Sequence, residues 1–400
     1  MGGAIVLSRD NTERPNMKIR PGSALLATLA LTLTLALCGD LPKAAAQQPA
    51  AMDPNSPPPE HPVPAEASFF FDQLAPYGEW AWIEPHGWVW CPSHMAAGWR
   101  PYTEGHWVYA DCGWTWVSEL EWGWAPFHYG RWFFHEHRGW CWVPGSVWAP
   151  AWVTWHWGDA YCGWAPIPPL VAWETCSDWD AVVPPFSWCF VEHRAFRERH
   201  LQEHVVIVAR NVTLLHLTRN VTHLERRPEG MVNVSVTAEQ IERATGHPVR
   251  RFQIAEVGSP REAQGAVRGA SRLNLYRPVV RETKIMTSIG RTPGTAPAVT
   301  FEQLRRDEAA HRDWQSHQAR EREQLERFHE SELKNPPSAL SAPQLLERQQ
   351  AEHRAFNEHV ARQSQVFEHR LGMPPPPNPQ AHHPSPPPPA RSGVTHVYGR

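Results

Sequence analysis

Gly87-Trp88-Val89-Trp90-Cys91-Pro92 and Gly139-Trp140-Cys141-Trp142-Val143-Pro144 are two versions of one pattern: a glycine, two tryptophans one residue apart, a cysteine and a closing proline. Residues two apart share one face of a β-strand, but on a helix they point about 200° apart. The same Trp-x-Trp spacing recurs at Trp80/Trp82, Trp114/Trp116, Trp122/Trp124 and Trp155/Trp157. Glycine precedes Trp114 and Trp124, and proline stands at 126 and 166. Short aromatic strands punctuated by glycine and proline predict an irregular all-β domain over residues 67–190 and exclude helix from most of it.

Working outward, the domain carries weak internal repetition. Asp111-Cys112-Gly113-Trp114 echoes Tyr161-Cys162-Gly163-Trp164, and the gap from Cys91 to Cys112 equals that from Cys141 to Cys162. Two copies of a hairpin-like unit are expected. Six cysteines, Cys91, Cys112, Cys141, Cys162, Cys176 and Cys189, fall within one hundred residues. No two have CxxC spacing, so a metal site is disfavoured. In an oxidising compartment the set reads as up to three disulfides, whose pairing the sequence leaves open.

The N-terminus supplies that compartment. Met17-Lys18-Ile19-Arg20 is a basic start, residues 22–39 carry no charge, and Ala44-Ala45-Ala46 is a small-residue cleavage site. This is the layout of a secretory signal, with residues 1–16 an over-extended start. The apolar core from Ala24 to Cys38 is short for a bilayer of ~30 Å. A membrane association is expected only if the signal is retained or Cys38 is acylated. Cleavage makes the protein periplasmic, envelope-bound or secreted.

Downstream of a Pro/Ala linker (47–66) and the tryptophan domain, residues 191–258 read as a small mixed α/β module. Its strands are expected at Val205–Ala209, Val212–Leu217, Val232–Val236 and Phe252–Val257. Thr237-Ala238-Glu239-Gln240 is a capping box for a helix that Gly246 closes. Asn211, Asn220 and Asn233 stand in sequon pattern, and turn or strand roles are favoured for them. Residues 259–300 read as linker and 373–400 as a Pro-rich disordered tail. Between them (301–372) is a charged helical repeat: His311-Arg312-Asp313-Trp314-Gln315-Ser316-His317 matches His353-Arg354-Ala355-Phe356-Asn357-Glu358-His359 at an offset of 42. The stripe Leu345, Phe356, Val360, Phe367, Leu371 suits a helical hairpin or coiled-coil partner through 345–371. The fold class expected is therefore mainly β, with helix confined to the α/β module and the C-terminal region.

Several segments carry a family resemblance: Pro76-Tyr77-Gly78-Glu79-Trp80, Gly105-His106-Trp107, Gly113-Trp114-Thr115-Trp116, Trp124-Ala125-Pro126-Phe127-His128-Tyr129-Gly130-Arg131-Trp132 and Gly163-Trp164-Ala165-Pro166. Over residues 69–257 the chain resembles an uncharacterised bacterial family of exported tryptophan-rich proteins, the YxWGxW repeat type. The resemblance implies an envelope location; the family carries no established activity for it to imply. The cysteines depart from the pattern.

Catalytic signatures such as GxSxG, HExxH and the P-loop are missing from the sequence. The net charge of −3, with basic residues interleaved among acids, gives no footprint for nucleic acid. His135-Glu136-His137 could offer two imidazoles on a strand, but no third ligand can be named. His193, His200 and His204 read as a solvated face. Asp111, Glu119 and Glu121 could serve as glycosidase acids only at a fixed separation. No cofactor and no metal are expected. Of 22 tryptophans, 21 lie between Trp80 and Trp188, more than one small core easily hides. That excess points to exposed rings able to stack on a wall or surface glycan. The candidate ligand-binding set is Trp88, Trp90, Trp99, Arg100 and Tyr102, with Trp107, Trp122, Trp124, Tyr129 and Arg131. The expected function is a non-enzymatic binding or scaffolding module. The rivals are a purely structural disulfide-braced scaffold, which near-complete burial of the indoles would favour, and a glycan-processing enzyme.

Overall fold

The computed structural model describes residues 65–96, 98–228, 230–263, 271–280 and 301–372. The expected signal segment, most of the linker after it, residues 281–300 and the Pro-rich tail lie outside the described residues.

After a helix, α1 (Ala65–Leu74), four hairpins follow in succession. They are β1 (Gly78–Ile83) with β2 (Gly87–Pro92), β3 (Gly105–Ala110) with β4 (Gly113–Ser118), β5 (Arg131–His135) with β6 (Gly139–Val143), and β7 (Val153–Gly158) with β8 (Tyr161–Pro166). Five of the six Trp-x-Trp pairs lie on these strands. Trp122/Trp124 instead sits in the turns between β4 and β5. The antiparallel register sets indole against indole: Trp80↔Trp90, Trp82↔Trp88, Trp107↔Trp116, Trp132↔Trp142 and Trp155↔Trp164. Facing aromatic pairs contribute about 0.5–1.5 kcal/mol beyond their buried area. Gly139 opens β6 at φ +76°, a conformation that side chains disfavour.

The first sheet has the order β1-β2-β6-β5, so its two hairpins meet along β2 and β6, with Trp90 opposite Trp142. The two matching sequence units thus lie about a local two-fold axis. With Trp90 opposite Trp142 in the antiparallel pair, the register sets position 91 beside position 141, and Cys91 bonds Cys141 there, although in the repeat Cys91 matches Val143 and Cys141 matches Val89. Cys112, Cys162 and Cys189 stay as buried thiols, and Cys176 is a half-buried thiol. One bridge forms where up to three were expected, because only Cys91 and Cys141 are brought side by side.

The remaining strands extend two further sheets. β9 (Cys189–Glu192) and β10 (Thr218–Asn220) flank β7 and β8. β11 (Leu224–Arg227), β12 (Gly230–Asn233), β13 (Arg251–Glu256) and β14 (Arg272–Leu275) build a six-stranded sheet, β11-β12-β4-β3-β13-β14. The stretch 191–258 is thus no separate module, since β12 and β13 pair in parallel with β4 and β3. The linker reading of 259–300 also yields in part, because β14 pairs with β13. Short helices interrupt these strands: α2 (Trp179–Val182), α3 (Asn211–Leu217) and α4 (Ala238–Thr245). α3 replaces the strand expected at Val212–Leu217, buries Asn211, Thr213 and Leu214, and packs against the C-terminal helix at Ala342–Arg370. α4 follows the sequence closely: Thr237 and Gln240 form both halves of the capping box, and Gly246 closes the helix in the left-handed region.

Two long helices complete the molecule, α5 (Phe301–Lys334, 34 residues) and α6 (Ala342–Arg370, 29 residues). Pro343 stands in the first turn of α6, where its missing N–H forfeits no intrahelical bond. With these helices the chain is a β body plus a helical arm, and mainly β describes the body alone. No described helix is long and apolar enough to cross a membrane.

Candidate functional site

The ten residues expected to bind a ligand are drawn inward. Trp88, Trp90, Trp99, Arg100, Tyr102, Trp107, Trp122 and Tyr129 are all buried; only Trp124 and Arg131 are half-buried. Their polar atoms are engaged within the core. Trp90 Nε1–H donates to the Leu74 carbonyl (3.0 Å), and Tyr129 O–H donates to the Pro278 carbonyl (2.7 Å). Tyr102 O–H donates to the Phe127 carbonyl (3.1 Å) and accepts from the Trp152 amide (3.2 Å). Burial pushes the Tyr102 phenol far above its ordinary range. Arg100 donates to the Trp188 carbonyl, and the Arg131 guanidinium lies 3.2 Å from the centre of the Trp152 ring.

The indoles interlock edge to face rather than forming a row. Trp107 touches Trp116, Trp155 and Trp164 with ring centres 4.8–5.6 Å apart; Trp122 touches Trp90 and Trp99 at 5.0 and 6.1 Å. Of the 22 tryptophans, 17 are buried and five (Trp80, Trp82, Trp124, Trp157, Trp173) half-buried, so none is exposed. Each half-buried ring also has a partner. Trp80 stacks on Phe71 and Trp157 on His193, Trp124 meets Tyr276 and Trp173 meets Trp152, and Trp82 crosses Trp88 and donates to Glu84. The count that suggested surplus rings overlooked how much core three sheets enclose. Gly130, in the quoted Tyr129-Gly130-Arg131 motif, has φ +63°, and a Cβ there would lie 2.1 Å from the Val143 carbonyl oxygen. The motif thus serves close packing.

The titratable candidates are scattered. Asp111 occupies the β3–β4 turn while Glu119 follows β4, so a hairpin of six-residue strands, about 20 Å long, separates them. Glu121 accepts from Tyr77 O–H (2.9 Å). His200 pairs with Glu119 (3.4 Å), His193 is buried against Trp157, and His204 is exposed. His135 and His137 do gain a neighbour, His369 from the end of α6, stacked on His137 at 4.6 Å. Among the described residues, however, no group of three such side chains is arranged to hold a metal ion. The three sequon asparagines serve the fold. Asn211 donates to the Pro185 and Trp188 carbonyls, Asn233 donates to the Val153 carbonyl, and Asn220 donates to Thr154 and Asp180.

Two polar assemblies were not anticipated. His156, 1% exposed, joins Asp180 through Nε2 (2.8 Å) and Thr218 through Nδ1 (2.7 Å), tying α2 and β10 to β7. Beneath the arm, the fully buried Glu352 accepts from Thr213 and pairs with His329 (2.8 Å). Close by, Arg100 of the body faces His317, Glu321 and His359 of the arm. A solvated face was the natural reading of so many charges. The signal against it was that His317, Glu321, His359 and Arg362 fall three to five residues from the aromatic positions Trp314, Phe356 and Phe367, or from one another.

A family model described as a family of unknown function, DUF6600, matches residues 71–171, the span of the four hairpins. No curated protein matches the chain, and no solved structure does.

Proposed function

We propose that this chain is a non-enzymatic, exported cell-envelope protein of the YxWGxW repeat type. Its tryptophan-rich body acts as a rigid scaffold, not as a glycan-stacking surface. The observation that carries this reading is the absence of an exposed indole among 22. Each enclosed ring removes about 150–250 Å² from water, so the tryptophans are accounted for by the stability of three small sheets. The Cys91–Cys141 bridge across the junction of the two repeat units supports it, and fits an oxidising compartment. The quoted signal-like segment supports export.

Intrinsic fluorescence of the mature protein tests the scaffold. Blue emission, weak acrylamide quenching and no response to cell-wall fractions or soluble glycans are expected. Red-shifted emission that a glycan fraction moves would overturn the scaffold reading in favour of a binding surface. N-terminal sequencing of the expressed protein tests export, and a cytoplasmic product retaining Met17 would sink it.

A further inference from the structure

The two copies of the C-terminal repeat each end on a histidine, His317 and His359. Folding of α5 and α6 onto the body brings the two together, His359 buried and His317 half-buried. His359 is 3% exposed, its Nδ1 has no hydrogen-bond partner, and its ring meets the edge of Trp314 at 5.7 Å. His317 stacks on the same indole at 5.6 Å and presses on the body at Gly98, where a Cβ would come within 2.9 Å of the imidazole.

The groups around this pair are mostly cationic. Arg100 of the body and Arg362 of α6 face His359; Arg100 and Arg320 of α5 face His317. The acids are Asp313 and Glu321, the latter 3.5 Å from His317 Nδ1. At the far end of α6, His369 lies on His137 beside Arg138 and Arg370, and Arg370 donates to the Arg138 carbonyl (3.0 Å). Arg370 is in turn flanked by Asp307 and Glu79. The contact has the composition of a conditional interface. Of the buried arm side chains, six are apolar (Trp314, Leu325, Leu345, Phe356, Val366, Phe367) and six polar (His329, Glu332, Gln349, Glu352, His359, Gln363).

We propose that the helical hairpin is an acid-released arm, docked on the β body at neutral pH and freed when His317, His359 and His369 take up protons. A proton on His359 would enter a dry site without an acceptor and facing two guanidinium groups. Release uncovers the body face that includes Met95, Trp99, Phe134 and Trp140.

Burial, then Arg100 and Arg362, hold His359 down to about 3. Burial also lowers His317, helped by Arg320 and Arg100 against Asp313; burial lowers His369, helped by His137, Arg138 and Arg370. A base held below its free value stabilises docking above that free value, near 6.5, and the contribution is lost as pH falls. At pH 5 His359 alone weakens docking about 30-fold. Glu321 acts in the opposite sense. Burial raises it to about 7 against the pull of Arg100, so its uptake of a proton favours docking as pH falls from 7. Asp307 of α5, also raised by burial, acts in the same sense as Glu321, so the imidazoles outweigh these carboxyls only below the range where both have filled, which places release in the acid range.

Small-angle scattering of the full mature chain between pH 7.5 and 3.5 reads the release as an expansion, with tryptophan emission reporting the body. Expansion on acidification is expected with only the partial red shift that uncovering Trp99, Trp140 and the arm's Trp314 allows, the other indoles staying buried. His359→Gln moves the midpoint to lower pH, and Glu321→Gln moves it toward neutrality. Should His359→Gln be expanded already at pH 7.5, His317→Gln replaces it, with the same direction of shift. No expansion down to pH 3.5 overturns the proposal. So does one midpoint shared by wild type and variants, or a red shift of the whole emission band at the pH of expansion, the mark of global unfolding.

Discussion

The β body and the helical arm bury their side chains on different terms. In the body, aromatic rings close on one another and several indole N–H groups donate to backbone carbonyls, as Trp132 does to Pro126 and Trp164 to Tyr102. The rings that make up this core do not titrate, although the buried imidazoles of His128, His156 and His193 sit among them. The arm meets the body through a carboxylate (Glu352 on Thr213), an imidazole (His369 on His137) and a guanidinium group (Arg370 on the Arg138 carbonyl), interleaved with a few apolar anchors. Apolar burial is indifferent to protonation, whereas a desolvated ionisable group couples every contact it makes to pH. The comparison teaches that one chain can hold a permanent core and a conditional contact side by side.

The comparison breaks most readily at the body's centre. Trp142, fully buried and bonded through Nε1 to the Tyr129 carbonyl (2.7 Å), pairs across strands with Trp132 and Trp90. Trp142→Ala is expected to cost about 3–5 kcal/mol in urea unfolding followed by near-ultraviolet circular dichroism. A cost below about 1 kcal/mol would mean the indoles are not the core.

Leu325, on α5, is fully buried against Ala209 and Phe356. Leu325→Ala removes about 2–4 kcal/mol from arm docking and leaves the body's own unfolding midpoint in place. Hydrogen exchange resolved by segment separates the two, and equal loss of protection in β2 and β6 would show that arm and body unfold as one.

Opening the bridge comes next. Cys91→Ser with Cys141→Ser is expected to destabilise the body by about 2–4 kcal/mol through the freed 50-residue loop. In the wild type, alkylation without reductant, followed by intact mass, should label Cys176 under native conditions and add Cys112, Cys162 and Cys189 only on denaturation. Burial also pushes these three thiols up, slowing reaction further. Label on Cys91 or Cys141, or none on the other four, would refute the single-bridge assignment.

The smallest effect belongs to neither core. Thr237→Ala strips the cap of α4, where Thr237 Oγ1 accepts from the Gln240 amide (3.2 Å), and costs about 1 kcal/mol by thermal melting.

Local rules carried a good part of this protein. The Trp-x-Trp spacing determined strands because alternation across a pleat is a property of two residues and needs no partner. The Thr237 box and Gly246 determined both ends of α4, since capping satisfies backbone groups within one turn. The likeness between residues 87–92 and 139–144 already implied two units. What tertiary structure alone decided is where those strands face and what meets what. Whether an indole is core or surface depends on what encloses it, and three sheets with the helices packed on them leave none of the 22 exposed. Val212–Leu217 reads as a strand by composition, but its packing beneath the arm and against Pro185–Ser187 made it the helix α3. Cys91 found Cys141 because β2 pairs with β6 and sets Trp90 opposite Trp142, a pairing of distant strands that spacing does not reveal. The charged face of the C-terminal repeat became an interface for the same reason. Only docking onto Arg100 and Thr213, more than one hundred residues away, takes His359 and Glu352 out of water.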